Sequence, residues 1–188
     1  VAAGERGFGE LAAEVAVLLS ERGLGGNDVD LERRLERWRG ERGARAEAGR
    51  GLVRRWAKLL PHTHLSSLKG GELSMALALA YPDRIARRRD SSGEHWLSVS
   101  GRGYRLDAAH HLAKEEWLAV ADIQGAASGA RILSAAVIAF ADIEALYGDR
   151  IVSGTHVTFD PATGGLRTET GRRLGAITLS KGQDAKAD

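Results

Sequence analysis

The hydrophobic period of this chain changes at one place, the Tyr81-Pro82 step within "LALAYPDRIARRR". Before it, apolar residues recur every three or four positions; after it, they recur every second position. Helical and strand periods that are segregated along a chain predict an α+β fold, because a doubly wound sheet needs them to alternate. Pro82 has no amide donor and disfavours helical backbone at Tyr81, so the last helix must end there. Arg84, Arg87, Arg88 and Arg89 follow at once. A cationic patch therefore sits on the seam, and it either holds a ligand or only solvates a helix end or a strand edge.

Four helices are predicted before the seam. Leu11, Val15, Leu18 and Leu19 share one helix face. The glycines of "RGLGGND" stop that helix, and Asp28 or Asp30 can cap the next, whose stripe is Leu31, Leu35 and Trp38. "GERGARAEAGRG" reads as a loosely structured link. Leu52, Val53, Trp56, Leu59 and Leu60 form a third stripe, closed by Pro61, and "SSLKGGELSMALALAY" gives a fourth helix. After the seam, "HWLSVSGRGYRL" alternates, with Trp96, Ser98 and Ser100 opposite Leu97 and Val99. "EWLAVADIQG" and "ARILSAAVI" are further strands. "AFADIEALYGD" returns to helical spacing through Phe140, Ile143, Leu146 and Tyr147. "THVTFDPATGGLRTETGRRLGAITLS" reads as two strands about a turn and then a third short strand. The expectation is an N-terminal helical bundle, residues 1–80, followed by an OB-like antiparallel β-barrel with an inserted helix, residues 81–188, and a mobile tail from about residue 181.

An apolar fraction of 43% over 188 residues supplies a core. The formal net charge is only +2 from 27 basic and 25 acidic residues, so local patches matter more than the global balance. No cysteine is present, which excludes disulfides and thiol chemistry. No apolar run is long enough to span a membrane, and charges interrupt "VAAGERGFGE", so no signal peptide is expected there. The expected location is cytoplasmic. The start without Met suggests a fragment of a longer chain.

Catalytic motifs are missing. There is no G-x-x-x-x-G-K-[ST] phosphate loop and no G-x-S-x-G elbow, and "GRGYRL" carries Leu106 where a dinucleotide turn needs its third glycine. His62 and His64, or His110 and His111 with Glu115 and Glu116, are the residue types that bind metals, but neither spacing matches H-E-x-x-H. Both are read as polar loops, and neither a metal nor a catalytic residue is assigned.

Basic clusters are the stronger signal. Arg33, Arg34, Arg37 and Arg39 interleave with Glu32 and Glu36, as on a self-paired solvated face. Arg54, Arg55 and Lys58 flank Trp56. Arg84, Arg87, Arg88 and Arg89 flank Ile85. Arg102 and Arg105 lie beside Tyr104, and Arg172 and Arg173 lie near the end. The guanidinium fork donates two hydrogen bonds to a phosphate and stays charged, and a neighbouring aromatic ring lets a base stack. The competing reading is a set of strand-edge charges that prevent aggregation.

Several segments in order, "LAYPDRIARRR", "GRGYRL", "EEWLAVADIQG", "ARILSAAVI", "IEALYGDRI" and "RRLGAITLS", resemble the C-terminal half of the HrpB family of bacterial DEAH-box ATP-dependent RNA helicases. "GFGELAAEVAVLLSERGLGGNDVDLERRLERWRG" resembles the helicase-associated helical region of the same family. "SSGEHW" and "DAAHHLAKEE" depart from the family pattern. The resemblance implies a helical ratchet-like bundle and an OB-like barrel that complete a single-stranded RNA channel. The upstream RecA-like lobes of the same chain would carry ATP and Mg, so the segment itself would perform no chemistry. It places Arg84, Arg87, Arg88 and Arg89 near RNA or a neighbouring lobe; with Arg102 and Arg105 these are the candidate nucleic-acid contacts. The alternative is a protein-interaction module that docks on the ATPase lobes or on a regulator.

Overall fold

A computed structural model describes residues 9–21, 23–59, 71–126, 128–160 and 165–182. Helix α1, Gly9–Ser20, buries Ala13, Val15, Val17 and Leu18. Helix α2, Leu31–Gly40, starts where its cap was expected: the Asp30 side chain accepts a hydrogen bond from the Glu32 amide and satisfies a donor the first turn leaves open. Its buried face is Leu31, Leu35, Trp38 and also Arg34. Helix α3, Ala44–Ala57, begins inside the stretch read as a loose link. The correction has a simple cause. Alanine, arginine and glutamate are good helix formers, and Gly49 lies where Trp38 passes so close that a β-carbon would stand 2.8 Å from the indole ring. Leu59 lies beyond the helix and is 79% exposed, so the apolar stripe ends at Trp56. Helix α4, Glu72–Ala80, is nearly all apolar and buries Leu73, Ser74, Ala76, Leu77 and Ala78. It stops at Tyr81, as Pro82 requires, and Pro82–Arg84 form a single 3-10 turn. Leu60, Pro61, His62 and His64 lie outside the described residues, as does the tail beyond residue 182.

Five strands then close a barrel in the order β1-β2-β3-β5-β4: β1 Ile85–Arg88, β2 His95–Ser98, β3 Gly103–Arg105, β4 Trp117–Gln124 and β5 Ser128–Val137. The expectation of an antiparallel barrel is corrected, because β3 and β5 run parallel. A ring of five strands cannot alternate direction at every contact, so an odd closed barrel needs a parallel pair. The stretch "HWLSVSGRGYRL", read as one alternating segment, is a hairpin of β2 and β3. Its alternation holds in β2, where Trp96 and Ser98 are fully buried. Ala86, Trp96, Tyr104, Leu118, Val120, Ala130 and Ile132 fill the interior with side chains, as small barrels do.

The opposite faces of β1 and β4 pack under the helices. Ile85, Trp117, Ala119 and Ala121 join Val17, Leu18 and Leu77 in one core. Helix α5, Phe140–Tyr147, follows the last barrel strand and belongs to that core through Ile143, Leu146 and Tyr147. Beyond it, β6 Ile151–Asp160, β7 Gly165–Leu174 and β8 Ile177–Gly182 form the expected hairpin and third strand. They make a separate three-stranded sheet and add nothing to the barrel ring. Among the described residues no helix is long and apolar enough to cross a membrane.

Candidate nucleic-acid interface

The six candidate arginines take different roles. Arg84 donates to the Ala121 carbonyl at 2.7 Å and lies 4.8 Å over the Tyr81 ring. Arg87 forks onto Glu116 at 3.0 and 2.7 Å, donates to the Thr178 carbonyl at 2.6 Å and lies 5.4 Å over Trp117. Arg88 donates to the carbonyls of Ala113 and Lys114 at 3.2 and 2.9 Å. These three side chains stitch the seam: Arg84 holds the 3-10 turn Pro82–Arg84 to β4, and Arg87 and Arg88 hold β1 to β8 and to the 3-10 turn His111–Lys114. Their donors are largely spent inside the fold. Arg105 pairs with Glu94 across the hairpin. Arg89 and Arg102 are engaged through their backbones, Arg89 N–H to the His95 carbonyl and Arg102 N–H to Ser98 Oγ. Among the described residues their guanidinium groups have no partner.

Strand register decides which of them come together. His95 pairs with Arg105, Arg105 with Arg131, and Arg131 with Gln124, so these four form one row across β2, β3, β5 and β4. All four are exposed. The row is open because the helices cover the other flank of the barrel. Arg89 joins its edge through His95, whereas Arg102 sits in the turn at the far end of the β2–β3 hairpin. The candidates therefore do not form a single cluster. Arg131 was missed in the sequence. Its signal was weak but present: one charge at an outward position of an otherwise apolar strand. The same edge also carries Glu94 and Asp90. Asp90 is held below the ordinary carboxylate range by the Ser92 hydroxyl, with His95 beside it. Three arginines beside two carboxylates make a moderate cationic strip. Tyr104 and Trp96 point into the barrel and are at most 1% exposed, so the aromatic residue next to Arg102 and Arg105 offers no stacking surface. The strip suits a phosphate backbone, not base faces.

The paired histidines do something else. His110 Nε2 is 3.0 Å from Asp28, His111 Nε2 is 2.7 Å from Asp30, and the two rings lie 4.4 Å apart. Neither turns to Glu115 or Glu116. Together they clip the β3–β4 connection to the start of α2. Arg37 also reaches Asp28 at 2.7 Å. The Asp28 carboxyl falls to about 2 from 3.8: burial works against its charge, but the Asp30 amide, His110 and Arg37 outweigh it.

Fold and site together define a class: an α+β fold of helices packed on a closed five-stranded barrel, with an exposed row of arginines on its surface. No family model matches the chain. It is 34% identical over 120 residues to the ATP-dependent RNA helicase HrpB of Escherichia coli strain K12, covering 60% of this chain and 15% of that protein. Its structure is similar to the crystal structure of the E. coli DExH-box NTPase HrpB, with a TM-score of 0.70 and 25% identity over 94% of this chain and 21% of the other. A second structure, that of the E. coli DEAH/RHA helicase HrpB, shares the fold at a TM-score of 0.62 and 23% identity, again over 94% and 21%. The chain is thus similar to one segment of HrpB. It spans about a fifth or less of the length of the HrpB proteins it matches.

Proposed function

We propose that this chain is an accessory region of a bacterial ATP-dependent RNA helicase and holds single-stranded RNA on the open face of its barrel. The strand order β1-β2-β3-β5-β4, with a parallel β3–β5 contact, supports reading the barrel as OB-like. The helices and the barrel, residues 1–80 and 81–188, act as one wall of a nucleic-acid channel in the cytoplasm. ATP and magnesium belong to the upstream RecA-like lobes. The chain's own residues form and break no bonds; they hold the strand while another part of the helicase moves it.

One observation carries this reading: Arg105 and Arg131 are register neighbours on an exposed sheet face, with Arg89 at its edge. Three guanidinium groups on a rigid sheet can follow successive phosphates without reading sequence. Arg84, Arg87 and Arg88 contribute by fixing β1 and its flanks, so that Arg89 leaves the barrel in a defined direction. The test is fluorescence anisotropy of the 188-residue chain with labelled oligouridine at low salt. Reversing charge at Arg105 and Arg131 together should weaken binding by about a hundredfold, two lost phosphate contacts at about tenfold each. Unchanged binding by a folded double variant would remove the proposal.

A further inference from the structure

A second surface lies at the far end of the barrel hairpin from the cationic strip. Where the three-stranded sheet meets the barrel hairpin, Val99, Arg150, Val152, Arg173, Leu174 and Gly175 line an open cavity of about 550 Å³. The β7–β8 turn is seated tightly there. The Ala176 amide donates to the Val99 carbonyl at 2.9 Å, and Gly175, at φ +54°, lies so close to that carbonyl that a β-carbon would stand 2.3 Å from it. The cavity floor is therefore rigid.

Its lining combines apolar surface with unspent positive charge. Val152 is 65% exposed, one of two large apolar side chains so placed among the described residues. It is the register partner of Arg173. Arg173 Nε is buried and, among the described residues, has no hydrogen-bond partner, which is costly for a donor with nothing to bind. Arg150 lies 5.0 Å over the Tyr147 ring and forms no ion pair among the described residues. Asp149 precedes it but does not line the cavity. Strand β6, which carries Val152, pairs with β7 on one side and, among the described residues, with no strand on the other. A free strand edge is a template for an extended segment.

We infer that this cavity docks an extended acidic segment of a partner protein, with an aliphatic side chain over Val152 and a carboxylate against Arg173 and Arg150. Charge complementarity selects the carboxylate, and the strand edge selects an extended chain. A nucleic acid would leave the apolar floor uncovered, since no aromatic ring lines the cavity to stack a base.

The probe is a labelled peptide of alternating glutamate and leucine, titrated into the chain and followed by anisotropy. Saturable binding is expected, and Arg173→Gln and Arg150→Gln should each weaken it by about tenfold. Arg150 is exposed, so its variant keeps the test valid if Arg173→Gln disturbs the sheet. Charge reversal at Arg105 and Arg131 should leave peptide binding unchanged, which separates this surface from the RNA strip. No saturable binding, equal binding of a glutamine–leucine peptide, or displacement by oligouridine that needs Arg150 and Arg173 would each overturn the inference.

Discussion

Arg34 is buried, yet it carries a guanidinium between α1, α2 and the barrel. It donates to the Leu18 carbonyl at 3.0 Å, the Leu24 carbonyl at 3.4 Å and Ser134 Oγ at 3.2 Å, while its Nε has no partner among the described residues. Burial lowers its pKa, and Asp28 and Asp122 partly restore the charged form. Its sequence neighbours, alternating Arg and Glu, read as a uniformly solvated face. Nothing local distinguishes Arg34 from Arg33, because the partners that bury it lie up to 100 residues away. Arg34→Ala would leave those acceptors unmet beside a cavity, and should lower the unfolding free energy by about 2–4 kcal/mol in urea denaturation. Asp28 gives a pH signature. Its folded pKa is about 2, against 3.8 for an ordinary aspartate. A depressed carboxylate stabilises the fold above the higher value and loses that contribution as pH falls through the lower one. Stability should therefore fall between about pH 4 and pH 2, by about 1 kcal/mol once solvent screening is allowed for. Asp28→Asn should flatten that part of the profile.

At the scale of elements, periodicity was a good guide where one face is buried and the other is wet. That condition holds for α1, α2 and β2, and all were legible; β4, buried on both faces from Trp117 to Ala121, was legible as an apolar run instead. It fails for α3, whose first half shows almost no apolar stripe because it packs through Ala46 and Gly49. Small residues that allow close approach leave no hydrophobic pattern. The contrast with Gly51 makes this testable. A β-carbon at Gly49 would stand 2.8 Å from Trp38 and 3.1 Å from Leu24, whereas at Gly51 the nearest atom is an Arg54 side-chain nitrogen at 3.9 Å. Gly51→Ala should raise stability by about 0.5–1 kcal/mol through helix propensity. Gly49→Ala gains the same propensity but must displace an indole, and should lower stability by about 1–3 kcal/mol. Thermal melts of the two variants should move in opposite directions.

Across the whole molecule, some arginines are built into the fold and others stay exposed on its surface. The run Arg84, Arg87, Arg88, Arg89 was visible in the sequence as one patch, but the 3-10 turn, β1 and the residue after it send its members different ways. Three are consumed by carbonyls and Glu116, and only Arg89 is left with an uncommitted side chain. That Arg131 joins Arg105 across a parallel strand contact was not legible, because the pairing depends on barrel closure. The division has a quantitative consequence for single-stranded RNA. Each neutralised phosphate contributes a slope of about −0.7 to log affinity against log salt, so Arg89, Arg105 and Arg131 predict about −2 and all six original candidates would predict about −4. Salt titration of oligouridine binding to the chain therefore tests the central claim most directly. A slope near −2 that collapses when Arg105 and Arg131 are replaced by glutamine is the expected result. A flat titration, or a slope near −4 that survives that replacement, would contradict it.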